Sequence, residues 1–394
     1  GANVNLGVAL YDKGRWDDAM ACFKKATALD PKYAAAHYNL GQALSRKGQL
    51  DEAIACYEKA IALDPKYAAA HYALGQALSR KGQLDEAIAC YQKAIALNPK
   101  DAKARTNLGA VLSRKSQWDN AIACFKIAIA LDPKYAAAHY NLGQALSRKG
   151  RWDDVIACWK KATELDPKWA MAHNDLGRAL YRKGRLDEAV ASWKKAIALD
   201  PKFAVARTNL ANARRLAAAR DKLPAYQNGS YRPANNDERL ALAEWCKIKK
   251  LWYTASRLYG AAFAADPELA DDLGTGNRYN AACYAALAAA GQGADVARLQ
   301  ASERTRLRKQ ALEWLRADLV LWSKQLNSGK AGARAAVQQT LRHWQQDSDL
   351  AGIRDKDALG KLPPEERAAC EKLWADVAAL LKQAEAPPGR QSRP

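Results

Sequence analysis

Cysteine and histidine recur in this chain at spacings that invite a chemical reading. Cys22, Cys56, Cys90, Cys124 and Cys158 stand 34 residues apart, and His37, His71, His139 and His173 follow the same period with one gap. These residue types bind zinc and form nucleophile–base pairs. The pattern argues against both uses. Zinc needs three or four converging ligands, and each of these histidines has Leu at i+3 and Gly at i+4. A Cys–His pair copied four times is better explained as one structural position seen repeatedly. Disulfides meet a similar objection, because equivalent positions of successive units need not come within the ~4.4–6.8 Å that the bridge requires between Cα atoms. The eight cysteines read as small, partly buried thiols of a reducing cytoplasm. The carboxylates head helices and face solvent, and no two stand out as acid and base. Gly274-Thr275-Gly276-Asn277 places two glycines before a helix; a tight turn explains it better than a phosphate site. We therefore expect no catalytic residue, no metal and no cofactor.

The same 34-residue interval organises the whole first half. Residues 34–67 and 68–101 differ only at Asn39/Ala73, Glu58/Gln92, Asp64/Asn98 and Tyr67/Asp101. A fixed period of this length signals a stack of identical supersecondary units rather than one closed core. Alanine is abundant, Val and Thr are scarce, and Gly and Pro sit at punctuating positions, so helix is favoured throughout. No run of about 18 apolar residues is present, so no membrane span is expected. No basic-then-apolar segment opens the chain, and Gly1 aligns with the second position of a unit, so the expectation is a piece of a longer cytoplasmic protein. The formal charge of +20 is spread over both halves. It suits acidic protein segments, nucleic acid or anionic lipid without choosing among them.

The unit at 34–67 shows why it folds. His37, Leu40, Gly41 and Leu44 recur at i, i+3, i+4 and i+7, one face of a first helix. Ser45-Arg46-Lys47-Gly48 ends it with basic residues and then a glycine able to take positive φ. Asp51 and Glu52 open a second helix with acid in its first turn. Ala53, Tyr57 and Ala60 form its inner face, and Asp64-Pro65 stops it. Gly41, Ala53 and Ala60 lie where the two helices cross closely. The ring at Tyr57 (Phe23, Tyr91, Phe125, Trp159 and Trp193 elsewhere) fills the space beside them.

These positions resemble the tetratricopeptide repeat, whose pattern is aromatic-x2-Leu-Gly-x2-Tyr, then Ala-x3-aromatic, Ala and Pro. The match recurs at Leu6/Gly7, Leu40/Gly41, Leu74/Gly75, Leu108/Gly109, Leu142/Gly143 and Leu176/Gly177, and each copy closes on Pro31, Pro65, Pro99, Pro133, Pro167 or Pro201. Six units cover 1–203. The first aromatic is replaced by His or Arg in five copies and by Asn3 in the first, and the Tyr of the first helix is mostly Leu. The resemblance implies an all-α solenoid, a right-handed superhelix of helix-turn-helix pairs whose first helices line a concave groove. It also implies ligand contacts from first-helix positions 2, 5, 6, 9, 12 and 13. Positions 5 and 6 map to Tyr38 and Asn39, Tyr72, Thr106 and Asn107, Tyr140 and Asn141, and Asn174. Position 9 maps to Gln42, Gln76, Gln144 and Arg178, and position 13 to Arg46, Arg80, Arg114, Arg148 and Arg182. Asn and Gln can bond a peptide backbone, Tyr offers flat contact, and Arg pairs with carboxylates bidentately. The Arg ladder has an alternative origin: basic residues in a last helical turn complement its dipole, and duplication would copy them as readily. Arrays that clamp a terminal carboxylate use Lys at position 5 and Asn at position 9. Tyr or Thr and Gln or Ala stand there in this chain, so that mode is not implied.

Beyond the six units, 204–223 reads as a capping helix and 224–235 as a Pro/Asn/Gly-rich linker. A diverged helical region follows at 236–385, opening with a degenerate seventh unit (Leu242, Ala243, Ala255, Tyr259, Ala262 and Pro267), and residues 386–394 read as a disordered tail. An amphipathic helix is expected at 302–326 with Leu307, Ala311, Trp314, Leu315, Leu319 and Trp322 inward. The runs LGTGNRYNAACYAALAAAGQGAD, ERTRLRKQALEWLRADLVLW, LRHWQQDSDLAGIRD and LPPEERAACEKLWADVAALL resemble the C-terminal region of planctomycete-type bacterial proteins. There, tetratricopeptide repeats commonly follow a serine/threonine kinase domain. No kinase chemistry lies in this chain: it has no His-Arg-Asp loop and no Asp-Phe-Gly. The expected function is a non-enzymatic interaction scaffold, part of a bacterial signalling protein, that binds an extended or helical acidic segment in its groove. Two alternatives remain: a nucleic-acid-binding solenoid, which the diffuse charge and the lack of an aromatic–basic track disfavour, and self-association through matching end faces.

Overall fold

The computed structural model describes residues 1–386, so the C-terminal part of the expected tail, 387–394, lies outside the described residues. The described residues are helical with no strand, and the chain divides into two compact units, Gly1–Leu210 and Ala211–Pro394.

The first unit is six helix pairs. They are α1 (Ala2–Asp12) with α2 (Trp16–Leu29), α3 (Ala34–Arg46) with α4 (Leu50–Leu63), and α5 (Ala68–Lys81) with α6 (Leu84–Leu97). Then come α7 (Ala102–Arg114) with α8 (Trp118–Leu131), α9 (Ala136–Arg148) with α10 (Trp152–Leu165), and α11 (Ala170–Arg182) with α12 (Leu186–Leu199). Each second helix also packs on the next first helix, and α1, α3, α5, α7 and α9 contact one another in sequence, forming one continuous inner layer.

The crossing within each pair is as close as the small residues suggest. A Cβ placed on Gly41 would lie 2.7 Å from Tyr57 Cε1, and one on Gly109 2.6 Å from Phe125 Cε1. Ala53 and Ala60 are fully buried beside them. Between pairs, Asp64 Oδ1 accepts from the Lys66 amide at 3.0 Å and caps the turn that Pro65 begins. Gly48 and Gly82 take φ of 82° and 86°, which ends α3 and α5 in the left-handed region. Ser116 holds the same turn at φ 59° without glycine's freedom.

Helix α13 (Ala204–Gln227) runs through Pro224, so the first four residues of the stretch read as linker are helical. Pro224 sits near its C-terminal end, where the missing amide and the ring disturb only the last turns. The second unit continues with α14 (Asn236–Ile248) and α15 (Trp252–Ala265). Leu242, Ala243, Ala255, Tyr259 and Ala262 are buried there, so this pair packs like a repeat. Short α16 (Glu268–Asp271) leads to α17 (Asn277–Ala289), whose alanines are buried almost all round. Then come α18 (Ala301–Leu326), α19 (Ala333–Gln346), a 3-10 turn over Ser348–Ile353, short α20 (Lys356–Leu359) and α21 (Pro364–Glu385). Helix α18 packs on α17 and α21. Its Leu307, Ala311 and Leu315 are buried, while Trp314, Leu319 and Trp322 are half-buried. The Gly274–Gly276 loop is a tight turn closed by its own acid: Asp272 Oδ1 accepts the Gly274 amide at 2.9 Å, and its backbone carbonyl accepts the Thr275 hydroxyl at 3.0 Å.

Candidate functional site: the inner groove of the repeat array

The histidines that invited a metal reading act locally. Nε2 of His37, His71, His139 and His173 donates to the carbonyl of Pro31, Pro65, Pro133 and Pro167 at 3.0–3.1 Å. A carbonyl can only accept, so the proton is on Nε2. Arg105 and Arg207 do the same toward Pro99 and Pro201. Position 4 therefore closes the inter-unit turn. The sequence reading had these residues as packing substitutes for an aromatic; the structure adds a turn-capping hydrogen bond. Burial pushes the thiols of Cys56, Cys90, Cys124 and Cys158 away from the reactive thiolate form, to about 11 at Cys90 and Cys158.

The inner layer is joined by hydrogen bonds between residues 35 apart. Arg80 donates to the backbone carbonyl and hydroxyl of Ser45, both at 3.1 Å, and Arg114 to those of Ser79 at 2.7 and 3.0 Å. Ser45 and Ser79 lie in the last turns of α3 and α5, where helix carbonyls lack intrahelical partners. Arg80 and Arg114 therefore complement the C-terminus of the preceding unit's helix rather than only their own. Arg46 donates to the Tyr11 hydroxyl at 3.0 Å, and the Arg148 and Arg182 guanidinium groups lie over the Trp118 and Trp152 rings at 5.8 and 4.5 Å. Each guanidinium has five N–H donors, so pinning one nitrogen leaves the others to face the groove.

Positions 5 and 6 divide between groove and core. Tyr72 accepts from Gln76 and, across the unit boundary, from Asn107, both at 2.9 Å. Burial raises the Tyr72 phenol to about 12. Tyr140 donates to Asp175 at 2.6 Å and is buried, and Arg178 holds the same carboxylate at 3.0 Å. Asn174 is buried, accepting Trp193 Nε1 at 3.2 Å, and Thr106 is buried with its hydroxyl on the Ala102 carbonyl at 2.9 Å. Tyr38 is half-buried, bonded to Gln42 and packed 5.0 Å from the Tyr67 ring, and Asn39 is half-buried. Tyr140, Asn174 and Thr106 are thus held in the packing between helices, where a ligand cannot reach them.

The remaining expected residues, apart from Arg182, line two cavities. One, of about 440 Å³, is bounded by Gln42, Arg46, Gln76, Arg80, Asn107 and Arg114, with Tyr11, Tyr57 and Tyr91. The other, of about 650 Å³, is bounded by Arg114, Asn141, Gln144, Arg148 and Arg178, with Trp118, Phe125, Trp152 and Trp159. Three arginines line each cavity, Arg114 being common to both, and Asp175 is the sole carboxylate lining either. Tyr57, Tyr91, Phe125 and Trp159, expected in the helix crossing, also border the groove, whereas the Tyr11, Trp118 and Trp152 walls were not expected. The signal for Trp118 and Trp152 is the Trp that opens α8 and α10 where α4 and α6 open on Leu50 and Leu84.

A stack of helix pairs with a close Gly–aromatic crossing and a polar inner layer defines a tetratricopeptide-repeat array. The chain belongs to the family described as the cilia and flagella-associated protein 70 C-terminal domain, a tetratricopeptide-repeat family that matches residues 1–207. No curated protein matches it. Among solved structures, the chain is similar to YrrB, described as a TPR protein with an unusual peptide-binding site, at 27% identity over 47% of this chain and 96% of that one, with a TM-score of 0.40. It is similar to MamA at 32% identity over 42% of this chain and 96% of that one, TM-score 0.39. It is also similar to PilF of Pseudomonas aeruginosa at 20% identity over 53% and 96%, TM-score 0.49. No helix among the described residues is long and apolar enough to cross a membrane.

Proposed function

We propose that the first unit is a non-catalytic scaffold whose inner groove receives an acidic segment of a partner protein. The observation that carries this reading is the charge of the two cavities, in which three arginines face one carboxylate, Asp175, at the second and none at the first. Acidic residues sit instead at the heads of the second helices, where Asp17, Asp51, Asp85, Asp119 and Asp153 are paired with lysines. The arginines are held in place before any ligand arrives, so less side-chain entropy is lost on binding. The tyrosine and tryptophan walls add flat apolar contact, which suits a segment alternating acidic and apolar side chains.

The test uses an immobilised peptide array of acidic, neutral and basic sequences probed with the whole chain. Acidic peptides should bind, and Arg80→Glu/Arg114→Glu/Arg148→Glu should abolish binding while circular dichroism stays helical. Binding that ignores peptide charge would refute the reading. Retention of single-stranded RNA with a steep salt slope would favour a nucleic-acid partner instead. The motif runs of the second unit support a bacterial signalling context with a serine/threonine kinase domain in the parent protein. The upstream coding sequence tests that part of the proposal directly, and its lack of a kinase domain would remove it.

A further inference from the structure

Three metal-ligating side chains, a thiol and two carboxylates, meet in the second unit, and an imidazole borders them. Cys283 lies in the middle of α17 and is 2% exposed. Asp347 caps the 3-10 turn and Asp349 follows two residues on. The Cys283 sulfur and one oxygen from each carboxylate all lie within 4.8 Å of one another. His343, in the last turn of α19, brings Nε2 to 3.4 Å from Asp347 Oδ2. We propose that Cys283, His343, Asp347 and Asp349 form a structural zinc site that ties α17, α19 and the 3-10 turn together.

The donor set selects the ion. Calcium and magnesium take oxygen ligands, whereas a thiolate with an imidazole and carboxylates suits zinc. Four protein ligands close a tetrahedral shell and leave no open position, which marks a structural rather than a catalytic site. With bonds of about 2.0–2.3 Å, ligand atoms around one zinc stand about 3.3–3.8 Å apart. Cys283, Asp347 and Asp349 need shifts of only about an ångström to reach these separations, and His343, now placed against Asp347, swings in as the fourth ligand. On binding, the Cys283 thiol loses its proton to solvent and its sulfur lone pair forms the bond to zinc.

The surroundings are built for this. Asp347 Oδ2 accepts the Tyr279 hydroxyl at 2.6 Å, and Oδ1 accepts the Asp349 amide at 2.9 Å. The carboxylate is thus oriented from both sides, as outer partners of metal ligands are. The Tyr279 ring lies 5.3 Å from Trp344, stacked at 14°, which fixes the phenol. Thiolate and two carboxylates carry three negative charges against two on zinc, and the Lys247 ammonium on α14, which favours the charged form of Asp349, supplies the balance.

The experiment loads the full chain with cobalt(II) as a spectroscopic probe and measures zinc stoichiometry after gel filtration in parallel. One equivalent of zinc and a thiolate-to-cobalt charge-transfer band are expected. Cys283→Ser should lose the band. His343→Ala/Asp349→Asn, which changes side chains away from the deep core, should lose the bound equivalent with helicity unchanged. Cys246→Ser, at a buried thiol of α14 outside the proposed site, should keep both, and Tyr279→Phe should weaken zinc about 10- to 100-fold. A chain that takes up no zinc, or a band that survives Cys283→Ser in folded protein, would overturn the proposal.

Discussion

Gly143→Ala should loosen the fifth repeat although alanine is the better helix former. An added Cβ at Gly143 would lie 2.5 Å from Trp159 Nε1 and 2.6 Å from Cδ1. The indole cannot retreat freely, because Nε1 donates to the Tyr140 carbonyl at 3.0 Å and Trp159 is buried. Overpacking costs about 1–3 kcal/mol, and losing the indole hydrogen bond costs about 1 kcal/mol. Against this, Gly→Ala within a helix gains about 1 kcal/mol. The net is a destabilisation of about 1–3 kcal/mol. Gly75→Ala is the internal control, since its Cβ would meet Tyr91 at 3.0 Å, close enough to need only a small shift; its two terms nearly cancel, within about 1 kcal/mol of zero. Repeat arrays open in pieces, so global melting is a blunt readout. Hydrogen exchange resolved to α9 and α10 is the assay, with exchange about 5- to 100-fold faster in Gly143→Ala and near wild type in α5 and α6 of Gly75→Ala. Equal effects at the two sites, or slower exchange in Gly143→Ala, would refute the close-crossing argument.

Other perturbations test separate parts of the account. Ser116→Gly relieves a left-handed serine at φ 59° and should stabilise α7–α8 by about 0.5–1 kcal/mol, read by the same exchange measurement. The lysine–aspartate pairs between units are exposed, as at Lys81–Asp51 with side chains 35% and 78% exposed; Lys81→Ala should cost less than about 1 kcal/mol, and the loss should vanish in high salt. Asp318, bonded to Arg278 at 3.0 Å and raised by burial from 3.8 to about 6, takes up its proton in the folded state before the unfolded one. Its contribution is therefore most favourable below the unfolded value and is lost as pH rises through about 6. Asp318→Asn should flatten that part of the urea-stability profile between pH 4 and 7, and a slope unchanged from wild type would contradict the assignment.

How far the fold could be read depended on whether local pattern alone decided each position. Gly41 beside Tyr57, the glycine ending α3 and the stop at Asp64-Pro65 all follow from helix periodicity and backbone chemistry, so the six units were legible. The role of Arg80 was not, because its partner Ser45 lies in the neighbouring unit and only the stack brings them together. The Lys–Asp pairs at a constant separation of 30 residues were equally hidden, although their regularity in the sequence was a usable signal. Positions 5 and 6 show the limit most plainly. They are adjacent on a helix and point about 100° apart, so both can meet the groove only if the second helix leaves room. In α11 it does not: Trp193 draws Asn174 inward and Asp175 is buried against Tyr140. In the second unit the repeat has diverged, and the meeting of Cys283 with Asp347 depends on tertiary packing that no spacing in the sequence encodes.

The central claim is that the groove arginines recognise acidic segments, and fluorescence anisotropy of the best acidic peptide from the array tests it most directly. Titrated against the whole chain and against Arg80→Glu/Arg114→Glu/Arg148→Glu, the account predicts an affinity at least about 30-fold weaker in the variant, roughly 2 kcal/mol, with helicity preserved. Unchanged affinity in a folded variant would contradict it.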